Sequence, residues 1–153
     1  MKQFLYSLVL LAGLVSATAC SKDDDDTAAA PAPLTVSGTL SGAQEVPAVT
    51  SSGTGTVSGT YNKTTKELKY TVTFSGITPT VGHFHIGAPG TTGPVTLPFG
   101  FNNSTNNGFV SPITGTVTLS NEQAAALLEN KLYANLHSAA APSGEIRADV
   151  TAK

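Results

Sequence analysis

The stretch ELKYTVTFSG (67–76) sets Leu68, Tyr70, Val72 and Phe74 against Lys69, Thr71, Thr73 and Ser75 in unbroken alternation. Side chains of a strand point to opposite faces in turn, so this run reads as a strand with one buried and one wet face. Just upstream, GTGTVSGTYN (53–62) is rich in threonine and glycine, and NKTTK (62–66) between the two runs is polar. β-formers flanking a polar turn predict a hairpin.

The same period continues outward in both directions. LTVSGTLS (34–41), ITGTVTLS (113–120), KLYANLHS (131–138) and GEIRADVT (144–151) all alternate, and AAAPSG joins the last two as a second hairpin. Residues 87–108 are punctuated by Gly, Pro and Asn and read as a long loop with one short strand near Val95 to Leu97. One helix interrupts, at about 121–130. Ser120 is a natural N-cap with Gln123 three residues on, and Ala124, Leu127 and Leu128 form its apolar stripe. Short strands at regular spacing with one brief helix predict an all-β fold: an antiparallel, Greek-key-like β-sandwich.

The domain so defined, residues 34–153, is long enough for one core. Its six basic and six acidic residues balance, so the net charge of −2 resides in what precedes it. Without clustered basic charge, it offers no nucleic-acid surface. The preceding residues divide in two. Residues 1–19 carry Lys2, an apolar run from Phe4 to Val15 and then small residues, which reads as a signal peptide, too short to span a bilayer. Ala17-Thr18-Ala19 fits ordinary cleavage, and Ala-Thr-Ala-Cys resembles a bacterial lipobox with Ala17 where leucine is usual. Cys20 favours the second reading. It is the sole cysteine of an exported chain, so no intramolecular disulfide accounts for it, whereas lipidation does. Residues 20–33 (CSKDDDDTAAAPAP) would then form a solvated tether from a membrane lipid to the domain. Cys-Ser-Lys followed by acidic residues also resembles the export signals of surface-displayed outer-membrane lipoproteins.

The residues with chemical potential lie near VGHFHIG (81–87). His83 and His85 share one strand face, as do Tyr133, Asn135 and His137 in LYANLHS. Three imidazoles would suit copper or zinc. A final hairpin in simple register would bring Glu145 close to His137 as a further ligand or an acceptor, with Asn135, Arg147 and Glu45 as supporting groups. The same residues also read as a polar hydrogen-bonding network that fixes loops at one end of the sandwich. Arg147, a cation, speaks against a metal dication unless it is neutralised. Serine, histidine and aspartate occur in the domain, but no nucleophile elbow surrounds a serine.

LSGAQEVPAV, TVTFSGI, GHFHIGAPG and LYANLHSAAAPSGEIRADV, in that order and with the leucine-bearing helix before the last, resemble the CHRD domain. This module is named after chordin and also found in bacterial secreted proteins. Phe84 stands between the two histidines where isoleucine is more usual, and Ser138 follows the last where threonine is common. The resemblance implies an extracellular β-sheet domain without a defined biochemical role and carries no established catalysis. The anchor, the acidic linker and a neutral domain with a long polar loop at 87–108 predict a binding or structural module at the cell envelope, with an unidentified extracellular protein as partner. His-x-His on a strand is also similar to the copper-binding strand of copper/zinc superoxide dismutases. The fourth histidine and the zinc loop of that family have no counterpart here, and likeness of fold does not license an activity.

Overall fold

The computed structural model describes residues 31–153; the signal peptide (1–19), Cys20 and the tether as far as residue 30 lie outside the described residues. Eight strands and one helix follow in chain order. They are β1 (Leu34–Ser41), β2 (Thr54–Asn62), β3 (Glu67–Ser75), β4 (Pro79–Ile86), β5 (Val95–Pro98), β6 (Ile113–Thr118), α1 (Asn121–Leu128), β7 (Leu132–Ser138) and β8 (Ile146–Ala152). A short 3-10 turn, Gly42–Gln44, follows β1.

The fold is all-β and antiparallel with one short helix, as the alternation predicts. All eight strands belong to one sheet in the order β5-β4-β7-β8-β1-β2-β3-β6. The run β8-β1-β2-β3 has the Greek-key order, in which a late strand returns beside the first of a meander. The sheet curls until its halves face each other, so the two layers of the expected sandwich are halves of one continuous sheet. Tyr70 on β3 therefore meets Phe84 on β4 edge-to-face at 5.2 Å, although four other strands separate β3 from β4 round the sheet. Phe99 closes this aromatic group at 4.9 Å from Phe84 and 5.4 Å from Tyr70.

Alternation decides which residues fill the space between the halves. Val36 and Leu40, Val57 and Tyr61, Leu68 and Val72, Leu132 and Leu136, and Ile146 and Val150 all point inward and are buried. Burying side chains of this kind contributes about 1.5–3 kcal/mol each, which sets the register of every strand. Gly115 on β6 lies opposite Tyr70, and a Cβ there would stand 2.4 Å from the tyrosine ring. The missing side chain gives that ring its place in the core.

The two hairpins form where the sequence puts them, with Asn62 opposite Glu67 and Leu136 opposite Ile146. β5 spans Val95–Pro98, matching the short strand expected inside the long loop. The helix ends at Leu128 instead of 130, because Asn130 takes a left-handed conformation (φ 55°) that stops it. Its capping box is present: Ser120 Oγ accepts from Gln123 N at 3.2 Å, and Gln123 Oε1 accepts from Ser120 N at 2.8 Å. Ala124, Ala126 and Leu127 are its buried residues, while Leu128, expected on the apolar stripe, is exposed.

Candidate functional site

On the outer face of β4, β7 and β8 the polar half of the alternation gathers into one group. The ladders place His83 opposite Asn135, His85 opposite Tyr133 and Val81 opposite His137. On the other side of β7, Asn135 faces Arg147 and Tyr133 faces Asp149. Neighbouring strands bring such residues within side-chain reach. Three loops then cover the face, contributing Glu45 after the 3-10 turn, Gly93 from the β4–β5 connection and Pro142 from the β7–β8 connection. Glu45, His85, Asn135 and Arg147 are all buried as a result.

The histidines converge. One nitrogen of each ring lies within 4.8 Å of the other two. His83 sits centrally, its ring centroid 4.8 Å from that of His85 and 4.8 Å from that of His137. Two backbone carbonyls fix the tautomers. His85 Nδ1 donates to Gly93 O at 2.9 Å, and His137 Nδ1 donates to Pro142 O at 3.0 Å, because a carbonyl can only accept. Both therefore turn an Nε2 lone pair toward the cluster. His83 Nδ1 donates to the one on His85 at 3.0 Å. The one on His137 is buried with no hydrogen-bond partner among the described residues, as is Asn135 Oδ1.

All three rings are held neutral at pH 7. Burial lowers the pKa of His83 from 6.5 to about 4, helped by the neighbouring charges His137 and His85 would carry. Burial also lowers His85 and His137, against the raising effect of the carbonyls they bond.

Arg147 holds the frame around them. It is 1 % exposed and lies over the Tyr133 ring, 3.6 Å from the centroid, while His85 stacks on the same tyrosine at 4.6 Å and 5°. Its Nη2 pairs with Asp149 Oδ1 at 2.7 Å and its Nη1 donates to Thr91 O at 2.6 Å. The cation is thereby neutralised by Asp149, and the loop that carries Gly93 is pinned to β8. Tyr133, which the sequence reading placed on this face without a role, is the plate on which His85 and Arg147 are mounted.

The carboxylates fall otherwise than the register suggested. Glu145 was expected beside His137, but its Oε1 accepts from Ser51 Oγ at 2.9 Å and it stands outside the histidine group. Gly144, with φ 133°, carries the chain into β8, which begins only at Ile146, so alternation counted back to Glu145 no longer holds. Glu45 enters instead. Asn135 Nδ2 donates to both of its oxygens at 2.9 Å, and burial raises the carboxyl from 4.5 to about 7.

Glu45, His85, Tyr133, Asn135, His137 and Arg147 line a cavity of about 190 Å³. A larger and more open hollow of about 510 Å³, beside Ile77, Ser138 and Glu145, has no comparable set of converging buried polar groups. The smaller cavity is thus the candidate binding site, its floor set on three adjacent strands and its rim on the covering loops. Comparison with known families matches residues 36–150 to the CHRD domain. No curated protein matches the chain, and no solved structure does.

Proposed function

The chain belongs to the CHRD domain family, and from that premise we propose a binding module, not an enzyme, held at the cell envelope by an N-terminal lipid and displayed on the outer surface. The observation that supports binding is the pair of buried, unpartnered atoms, His137 Nε2 and Asn135 Oδ1, in the walls of the small cavity. A polar atom left unmatched in the interior costs about 1–3 kcal/mol. A ligand that supplies the missing partner recovers that cost. Five of the wall residues, His85, Tyr133, Asn135, His137 and Arg147, stand on paired strands, so little ordering of these groups is needed when a ligand arrives.

The envelope location rests on Cys20, the sole cysteine, placed after Ala17-Thr18-Ala19 and before the acidic tether. Fully extended, residues 20–33 would reach about 45 Å from the membrane, enough to present the domain to a surface protein or a soluble ligand. Cys20→Ala should move the protein from the membrane to the soluble fraction and abolish its labelling on intact cells. Retention of that variant in the membrane fraction would sink the anchor.

A further inference from the structure

Building on the reading of the histidine-walled cavity as the module's binding site, the geometry points to its ligand: one transition-metal ion, copper or zinc, held by His83, His85 and His137. Three imidazoles with no thiolate are a donor set that suits zinc and copper, and not the oxygen-seeking calcium or magnesium. Bonds of ~2.0–2.1 Å to a tetrahedral ion separate the ligand nitrogens by about 3.3–3.5 Å. His83 Nδ1 and His85 Nε2 are already 3.0 Å apart, and the widest pair in the group spans 4.8 Å. The widest pair needs to close by about 1.3–1.5 Å, within the reach of small χ rotations on fixed strands.

The hydrogen bonds behind the rings are those a metal ligand requires. An imidazole that binds through one nitrogen characteristically donates its other N–H to a carbonyl or carboxylate, which fixes the tautomer and aims the lone pair. His85 does this with Gly93 O at 2.9 Å and His137 with Pro142 O at 3.0 Å. The lone pair of His137 then meets no donor at all. In a network whose purpose was only to fix loops, that position would carry a partner. His83 needs one change, a move of its Nδ1 proton to its own Nε2 through solvent, after which three lone pairs face one point without net loss of a proton. The objection from Arg147 is removed by Asp149, which pairs with it at 2.7 Å. The cavity beside His85 and His137 supplies room for a fourth ligand, a water or a small anion.

The test uses the full chain, extracted from membranes in detergent without a polyhistidine tag and stripped with chelator. Zn²⁺ and Cu²⁺ are added separately, unbound metal is removed by gel filtration, and metal per chain is counted. The expected result is one equivalent of one or both ions retained, with Cu²⁺ giving an EPR spectrum split by imidazole nitrogens. His137→Asn and His85→Asn keep an amide donor for Pro142 O and Gly93 O but remove the inward nitrogen, so each should weaken binding by about 100-fold while the domain stays folded. Which ion is retained at equal free concentration separates copper from zinc. No retained metal in the wild type would overturn the inference, as would equal affinity in the two variants or a copper spectrum without nitrogen splitting. The Cys20→Ala fractionation is independent of these results, so loss of the metal site would leave the anchored-module reading standing.

Discussion

Glu45 and the three histidines pull stability in opposite directions as pH changes. Burial raises Glu45 to about 7, although its hydrogen bonds from Asn135 and the charge of Arg147 oppose this. Between pH 4.5 and 7 the folded chain keeps a proton there that the unfolded chain has released. This contribution is therefore complete below pH 4.5 and lost as pH rises through 7. His83, lowered to about 4, refuses a proton that the unfolded chain takes up below 6.5, so its contribution is lost as pH falls from 6.5 towards 4. His85 and His137 act in the same sense. The groups facing Glu45 are Asn135 on β7, Arg147 on β8 and, across the cavity, His85 and His137. Glu45→Gln keeps an acceptor for Asn135 and cannot ionise. In metal-free protein, denaturant melts should show this variant gaining about 1–2 kcal/mol on the wild type between pH 4 and pH 8. A difference that stays constant over that range would show that the carboxyl is not shifted. Gly144→Ala should be destabilising at every pH, because a Cβ would stand 2.8 Å from Glu45 Oε2 and 2.9 Å from Asn135 Nδ2 on a residue with φ 133°. A loss of about 2–3 kcal/mol in the same melts is expected. Nothing in the one-letter string distinguishes Gly144 from other loop glycines. Its backbone angle is what sends Glu145 to Ser51 and leaves Glu45 as the carboxyl at the site.

At the scale of elements, period two was enough to find the strands, because a half-buried strand must alternate wherever it lies. It identifies the face of each residue and says nothing about the neighbour. The hairpins β2–β3 and β7–β8 were legible because short connections, polar NKTTK in one and Pro- and Gly-bearing AAAPSG in the other, leave adjacent strands little choice but to pair. The pairings β4–β7, β3–β6 and β1–β8 join distant segments and follow from how the halves of the core fit. The histidines on β4 and β7 could thus be assigned to polar faces, while their meeting depended on a ladder no local pattern encodes. The covering loops were beyond reach for a related reason: Gly93 O and Pro142 O act through the backbone, where residue type carries little information. Two element-level outcomes follow. Ser120→Ala removes the capping-box acceptor and should cost about 1 kcal/mol, measurable by thermal unfolding. Arg147→Leu breaks the link from β8 to Thr91 and leaves Asp149 without its partner. It should cost about 3 kcal/mol and speed amide exchange across residues 87–94, whereas unaltered exchange there would contradict the pinning role.

For the molecule as a whole, one sheet curled on itself leaves two edges. One is β5, only Val95–Pro98 long and bracketed by Pro94 and Pro98, whose missing N–H groups blunt it as a template for another chain. The other is β6, paired on one side to β3. The first and last strands of the domain are at neither edge. β1 is flanked by β2 and β8, and β8 ends with Thr35 and Lys153 exchanging two backbone hydrogen bonds at 2.7 and 2.9 Å. Deleting Thr151–Lys153 exposes one side of β1 and should lower stability by about 3 kcal/mol, read from the calorimetric midpoint.

Placing β1 in the middle of the sheet also has a mechanical consequence. A pull transmitted through residues 31–33 reaches the domain at Leu34 and runs along β1, parallel to its neighbours. Eight residues of β1 are matched one to one with β2, from Leu34 opposite Tyr61 to Ser41 opposite Thr54, and the far side is held by β8. Such a load shears both ladders at once, with every hydrogen bond sharing the force, instead of peeling an edge strand away one bond at a time. The strand at which such a load would enter the fold is clamped on both sides against being drawn out.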